Sequence, residues 1–593
     1  MGRVTQIKAA IHLAIFSLLG GSFVASLLWM TPLLLWMTPF DAAADPKFPF
    51  FQQASFSLTR VERDKTENRL SRMTPEEKIG QLLMVGIRGK RLTPGTERLI
   101  KKLKLGGVIF YAHNIDDPVQ LRQFTSAIQH VASLDHRIPL FISVDQEGGS
   151  VARIRKGVYS FPPPMAIGAT GSLQLSYMVG KMMALDLSAM GINMNLAPVL
   201  DVNTEQENQL IGIRSFGGDP ELVAQMGMWY IEGLQSRGVV ATAKHFPGHG
   251  NTAVDSHYAI PAIQTGLSDL EKFHLLPFKK AMENGLDALM TAHLSVPAID
   301  PSGLPATFSY NLLTEVVRKK MNYQGLIVTD DLEMKSIRNR YGVGEAALKA
   351  ILAGSDVVMV SWTDEKKTEV FNALLTAYRE GKLTEERLNE SVRRILKLKY
   401  QRGFFDAVRE PASLNPKWLT HSAHQKLLSQ IAAKAITMVF NKGVLPLKEE
   451  DPRKVLLATP FNLFYEELKF YHEDLSSLKI PNRPTISEIE TIVSNITELK
   501  NEIDLLMIGL THRSQLPLVQ RLSQNIKKPI VVISFESPYL IHEIKKISEI
   551  SAFLCSYGTQ PELVRATAES LVGIIHPTGK SPVLSMETAS INK

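Results

Sequence analysis

The heptapeptide GLIVTDD, Gly325 to Asp331, is a continuous apolar run that ends in two adjacent carboxylates. It is too short for a stable helix and reads as a strand buried on both faces. Seven further runs share its character: LLMVG (82–86), GGVIF (106–110), PLFISVD (139–145), NMNLAPV (193–199), ATAKHF (241–246), ALMTAHL (288–294) and DVVMVS (356–361). Between them lie segments such as DPVQLRQFTSAIQHVASL and LEKFHLLPFKKAMENG, whose apolar positions recur three and four apart. Strands of this kind separated by helices imply a parallel sheet covered by helices, and eight such units match the size of a (β/α)8 barrel. A doubly wound open sheet is the alternative, but no glycine-rich phosphate loop follows the first strand.

A barrel demands that its functional groups gather at the C-terminal ends of the strands. Asp145 closes the third run, Lys244 and His245 the fifth, His293 the sixth, and Asp330 with Asp331 the seventh. Ahead of the first run, Thr74 and Glu77 have capping-box spacing with Pro75 in the first helical turn. The barrel is expected over 70–405, closed by the helical pattern TEERLNESVRRILKLKYQRGFF, with a proline-containing linker over 406–420. A second, smaller α/β domain is expected over 421–587. Its runs KVLLAT, DLLMIGL, PIVVISF and ISAFLCSYG show no comparable gathering of strand-end carboxylates and histidines, so its role reads as supporting.

Length agrees with two domains, since 593 residues exceed what one core organises. A net charge of +7 on 66 basic and 59 acidic residues, without a dense basic block, argues against nucleic-acid binding. The single cysteine, Cys555, excludes an internal disulfide framework, a multi-cysteine metal site and a lipobox. At the N-terminus, Arg3 and Lys8 precede Ala9–Phe40, which carries no charged side chain and twice reads LLWMTP. The small residues of DAAADPK follow, like a cleavage site. Residues 1–45 are therefore expected to be a signal peptide or membrane anchor. The folded part would be exported, extracytoplasmic, and associated with a membrane through 9–40 if uncleaved.

The loop AKHFPGHGNTAVDSH, Ala243 to His257, concentrates three histidines, a lysine and an aspartate. Pro247 and Gly248 between His245 and His249 forbid the helical geometry of a zinc pair. Ser256 lies between Asp255 and His257 without a strand-turn-helix elbow, which argues against a serine nucleophile. A glycosidase fits better: Asp330 or its neighbour Asp331 supplies an attacking carboxylate, and the loop supplies a proton. Asp255, two residues from His257, can orient that imidazole and stabilise its charged form.

KHFPGHGNTAVDSH, together with VDQEGG, GIRSFGGDP and TDDLEM, resembles glycoside hydrolase family 3, and within it the β-N-acetylhexosaminidases of the NagZ type. The resemblance runs from about Met73 to Arg402 and more weakly into the second domain. It implies Asp330 as nucleophile, and His257 assisted by Asp255 as acid/base. It also implies a sugar subsite formed by Asp145 paired with Arg153, by Arg214, and by Lys244 with His245. His293 is placed near this site. The implied reaction is retaining removal of terminal N-acetylglucosamine, from peptidoglycan-derived muropeptides, through a glycosyl-aspartate, with neither metal nor organic cofactor. The alternative is another family 3 β-glycosidase or a glycoside phosphorylase. One departure is Asn251, where the family loop usually has aspartate. Blander readings stand beside these: Arg153 would pair with Glu147, and His249 would be a loop histidine satisfied by backbone carbonyls.

Overall fold

The computed structural model describes residues 60–583 except 136, 253–255, 257–258, 407–418, 420 and 449–450. The expected signal or anchor segment, most of the expected linker, and both Asp255 and His257 lie outside the described residues. Among the described residues no helix is long and apolar enough to cross a membrane.

The barrel begins where the capping box predicts. The Thr74 hydroxyl accepts from the Glu77 N–H at 3.2 Å, and the Glu77 carboxylate accepts from the Thr74 N–H at 2.8 Å, starting the helix Pro75–Gln81. The eight apolar runs become β1 Leu83–Gly86, β2 Gly107–Phe110, β3 Phe141–Val144, β6 Met194–Asn195, β7 Val240–Phe246, β8 Ala288–Thr291, β9 Leu326–Asp331 and β10 Val357–Val360. A small hairpin, β4 Gln146–Gly148 and β5 Val151–Ala152, interrupts them after β3. All eight pair in parallel, in the order β1-β10-β9-β8-β7-β6-β3-β2, and close on themselves, which excludes the open-sheet alternative. Their residues are buried throughout, with two exceptions: His245 in β7 and Asp330 in β9. A closed sheet packed inside and out leaves polar side chains room only at its rim.

Both exceptions fall on irregular pairing. Between β7 and β8, Ala243 opposes Leu289 but Phe246 opposes Thr291, so β7 carries an extra residue at Lys244–His245. Between β10 and β9, Val357 opposes Val328 but Met359 opposes Asp331, so β9 carries an extra residue as well. Such bulges bend a strand and re-aim its side chains.

The opposite end of the barrel is closed by ion pairs. Asp356, just ahead of β10, accepts from Arg318 at 2.5 Å and Arg394 at 3.0 Å, and Asp287, just ahead of β8, accepts from Arg402 at 2.6 Å.

The second domain is a six-stranded sheet of β11 Thr437–Asn441, β12 Val455–Thr459, β13 Leu475–Lys479, β14 Leu505–Leu510, β15 Ile530–Ser534 and β16 Ile550–Cys555. Its order is β11-β16-β15-β14-β12-β13, with only β11 antiparallel. The helix Ser422–Ala435 bridges the two cores: Leu427, Leu428 and Ile431 pack with the barrel, Ala432 and Ala435 with the second sheet. Further ties are the Gly218 N–H to Pro582 O at 2.9 Å, Arg513 to Glu207 at 2.7 Å, and the Tyr539 hydroxyl to the Asn203 carbonyl.

Candidate active site

Asp330 stands at the barrel mouth, partly exposed, with one carboxylate oxygen accepting the Asp331 N–H at 2.7 Å. Burial would raise its pKa, but the charges of His293 and His245, this N–H and Lys244 together hold it below the usual aspartate range. Its neighbour behaves in the opposite way. Asp331 is buried at 6% exposure, and burial pushes its carboxyl up to about 7, against hydrogen bonds from the Glu333 N–H and Ser361. Adjacent carboxyls in divergent environments have their pKa values pushed apart, a pattern typical of acid/base and nucleophilic sites. Of the two, Asp330 is the partly exposed anion suited to attack.

Around Asp330 the mouth divides into a polar and an aromatic arc. On the polar side, Lys244 Nζ reaches Asp145 at 2.8 Å and Glu147 at 2.6 Å. Arg153 reaches the other Asp145 oxygen at 3.4 Å. Arg214 donates two parallel bonds to Glu147, each 2.8 Å. Burial alone would raise Glu147, but Arg214 and Lys244 outweigh it and hold the carboxyl far below the ordinary glutamate range. Burial likewise opposes the Lys244 charge, and Asp145 and Glu147 more than restore it. The hairpin that carries Glu147 is clamped by Asn195 of β6, which accepts from the Gln146 N–H at 3.1 Å and donates to the Gln146 carbonyl at 2.9 Å.

Beside this group, buried Asp201 accepts from the backbone N–H of His245 at 3.2 Å and of His249 at 2.6 Å, and pairs with His245 Nδ1 at 2.7 Å. The contact fixes the imidazole with its Nδ1 turned away from the cleft. On the aromatic side, Tyr111 after β2 and Trp362 after β10 pack at a tilt of 34°, with ring centroids 4.4 Å apart. The Tyr111 hydroxyl donates to Ser361 at 2.7 Å, and Glu333 accepts from the Trp362 N–H at 2.6 Å. Because Glu333 follows Asp330 by three residues, the aromatic wall and the carboxylate loop are joined. Among the described residues no group of three or more His, Cys, Asp or Glu side chains is arranged to hold a metal ion. The chemistry available is a recessed, ionised carboxylate ringed by paired charges that can grip hydroxyls, beside a flat apolar face.

Residues 74–398 match the glycosyl hydrolase family 3 N-terminal domain. The chain belongs to glycosyl hydrolase family 3. It is 36% identical over 382 residues to a β-hexosaminidase A of Pseudoalteromonas piscicida, covering 60% of this chain and 63% of that relative. It is 34% identical over 337 residues to a β-hexosaminidase of Nitrosomonas eutropha, covering 55% of this chain and 95% of the other. In three dimensions it resembles a family 3 β-N-acetylglucosaminidase from a Paenibacillus species, with a TM-score of 0.80 at 34% identity over 86% of this chain and 99% of that one.

In this family 3 hydrolase, Asp145, Arg153, Arg214, Lys244, His245 and Asp330 all line one cleft of about 1310 Å³. His293 is not among its lining residues. Fully buried, its ring meets the Thr307 hydroxyl at 2.9 Å and the Asp331 carbonyl at 3.2 Å, and its charge acts on Asp330 from behind. Asp255 and His257 are outside the described residues, but Ser256 between them lines the cleft, held by the Ser336 hydroxyl bonding to its carbonyl at 2.6 Å. Asn251 donates to the Thr265 hydroxyl at 2.8 Å, a contact that does not require the charge of an aspartate.

Three readings change. Glu147 is held by Arg214 and Lys244, leaving Arg153 to Asp145, because the hairpin turns Glu147 inward. His249 is buried, but neither ring nitrogen has a partner among the described residues, since its backbone rather than its ring meets Asp201. The second domain is more than a support: Phe461, Arg483, His512 and Glu536 form the far wall of the same cleft. Sequence reasoning also missed Asp201 and Trp362, and their signal was a carboxylate or aromatic placed just past the end of an apolar run.

Proposed function

We propose that this protein is a retaining exo-β-N-acetylglucosaminidase that removes terminal N-acetylglucosamine from peptidoglycan-derived fragments. The observation that carries this reading is Asp330: one of two positions in the barrel strands that escape burial, ionised, and ringed by paired polar groups. Asp330 attacks the anomeric carbon while His257 protonates the leaving oxygen. The resulting glycosyl-aspartate is then released when His257, oriented by Asp255, activates water. Lys244, Asp145 and Arg153 bind ring hydroxyls, and these already-paired groups need little reorganisation as charge develops. The names of the Pseudoalteromonas, Nitrosomonas and Paenibacillus relatives support the N-acetylhexosamine preference. The basic, then uncharged, N-terminal segment supports export, with the substrate met outside the cytoplasm.

The test pairs a chromogenic N-acetyl-β-D-glucosaminide with the matching β-glucoside. Wild type should hydrolyse the first, give the β-anomer as its initial product by proton NMR, and lose turnover in Asp330→Ala. Mass spectrometry of His257→Ala, quenched during turnover, should find the sugar on the peptide containing Asp330. An α-anomer first product would refute the covalent mechanism. Preference for the β-glucoside would refute the sugar assignment.

A further inference from the structure

The parallel strands of the second sheet turn their carboxyl ends toward the cleft, which is lined by Phe461 after β12 and Glu536 after β15. Their amino ends form the opposite edge, and the helices that leave the cleft side finish there. The helix Asn462–Lys469 ends at this edge, where the His472 ring meets the Arg453 carbonyl at 2.9 Å just ahead of β12. The helix Pro561–Leu571 ends beside it, with the Leu571 carbonyl accepting from the Leu447 N–H at 2.8 Å. Arg453 ties the two places together by donating to the Val444 carbonyl at 3.1 Å.

Two features coincide on this edge. Phe470 is 82% exposed and Ile574 61%, each just past the end of its helix. Phe470 lies edge-on to Tyr471 at 5.0 Å; the Tyr471 hydroxyl donates to the Glu569 carboxylate at 3.2 Å, and the Glu569 carbonyl accepts from the Ile574 N–H at 2.9 Å. The two bare apolar side chains therefore stand on neighbouring helix ends. Lys454, Lys500, Lys527, Lys545 and Lys546 share the edge; all five are exposed, and among the described residues none has a side-chain hydrogen bond or ion pair. Of the acids there, Asp451 is taken up by Arg453 at 2.6 Å and Asp504 by Lys528 at 3.8 Å. Glu473, Asp474, Glu502 and Glu549 remain, fewer than the five lysines with Lys442 and Lys448. Cations at helix C-termini answer the helix dipole, which accounts for Lys500 and Lys545. It does not account for Lys454 and Lys527, which precede strands, or for a bare phenylalanine.

We infer that this amino edge of the second sheet docks on a bilayer containing anionic lipid, with Phe470 and Ile574 entering the interface and the lysines facing its phosphates. A protruding apolar pair among unpaired lysines matches the boundary between acyl chains and anionic headgroups. The uncharged run Ala9–Phe40, expected to bring the chain to a membrane, favours a bilayer over a dissolved polyanion as the occupant. The cleft lies beyond the other edge, about 17–20 Å away along strands of five or six residues, so docking leaves it open to substrate.

The single native cysteine, Cys555, is buried, so a fluorophore can be directed to Phe470→Cys or, as a control at the cleft-side edge, to Ile486→Cys, which is also exposed. The full chain is reconstituted with vesicles whose acyl chains carry bromine quenchers, made of equal parts phosphatidylglycerol and phosphatidylcholine or of phosphatidylcholine alone. Neutral vesicles control for tethering by the N-terminal segment. The label at 470 should be quenched strongly in anionic vesicles and weakly in neutral ones, and salt at about 0.5 M should reverse the difference. The label at 486 should respond in neither. Reversing three charges together, Lys527→Glu, Lys545→Glu and Lys546→Glu, should reduce quenching at 470 to the neutral-vesicle level while hydrolysis of a soluble aryl glycoside is unchanged. No quenching at 470, equal quenching in both vesicle types, or equal quenching at 470 and 486 overturns the docking face. A response at 470 to soluble polyphosphate but not to vesicles would put a dissolved polyanion on this edge. One that grows with protein concentration in the absence of lipid would put a second copy there. Either result also overturns the assignment.

Discussion

The two ends of the barrel hold aspartates and use them differently. At the closed end Asp356 is enveloped by Arg318 and Arg394, and Asp287 is paired with Arg402. Burial works against Asp356, yet Arg318, Arg394 and Arg387 keep it below the usual aspartate range. At the mouth, Asp330 is held ionised by histidines and a lysine that do not cover it, and Asp331 beside it is shifted toward its protonated form. A carboxylate wrapped by its counter-ions braces the fold, whereas one stabilised from behind keeps a face free for chemistry. Conserved chemistry at the top of a barrel and stability at its bottom are the general expectation for this fold.

The comparison breaks most sharply at Asp330. Replacing it with alanine should reduce kcat on the order of 10⁴-fold or more, while urea unfolding shows stability unchanged or slightly raised. A strongly destabilised Asp330→Ala protein would mean that the mouth carboxylate is also structural. The reciprocal change is Asp356→Ala, which leaves Arg318 and Arg394 buried without their anion. It should cost about 3–5 kcal/mol of stability in urea titrations while the folded fraction keeps its kcat.

How much of this was legible in the sequence follows from the same geometry. Barrel strands are buried on both faces, so all eight appear as unbroken apolar runs, and polar residues at their ends mark the mouth. What could not be read is direction. Adjacent aspartates in GLIVTDD are equivalent in sequence, and only the extra residue in β9 separates a partly exposed Asp330 from a buried Asp331. Glu147 was visible within VDQEGG, but which cation it meets depends on a hairpin turn. Arg483 and Glu536 are far from the barrel in sequence, and nothing local shows that the second sheet turns its carboxyl edge toward the cleft.

Asp331 and Asp356 should also respond to pH with opposite sign. Asp331 has a folded pKa raised to about 7, so the native state holds its proton more tightly than the unfolded chain. Its stabilising contribution is complete below the ordinary aspartate range and is lost as pH rises through about 7. Asp356 is depressed, so its contribution is present above the ordinary range and lost as pH falls. Asp331→Asn should flatten the decline in stability between about pH 4 and pH 7, by less than about 4 kcal/mol. Asp356→Asn should flatten the acid limb instead. Urea midpoints measured across pH for both variants read the two effects, and like-signed changes would remove the distinction between the two carboxylates.

The smallest effect concerns the mouth alone, where the aromatic arc tests whether it serves the substrate or the carboxylate loop. Trp362 is 52% exposed, and its ring lies against Tyr111 while its N–H holds Glu333. Trp362→Ala keeps that N–H and removes only the flat apolar face, on which the C–H side of a sugar ring can rest. KM should rise about tenfold, the size of one aromatic contact plus the area it buries, with kcat within a few-fold of wild type. Trp362→Phe should restore most of the loss. Initial rates over a range of aryl glycoside concentrations separate the two parameters. A fall in kcat at unchanged KM would instead show that the ring positions the Asp330 loop, and the division of the mouth into a charged grip and an apolar platform would then fail.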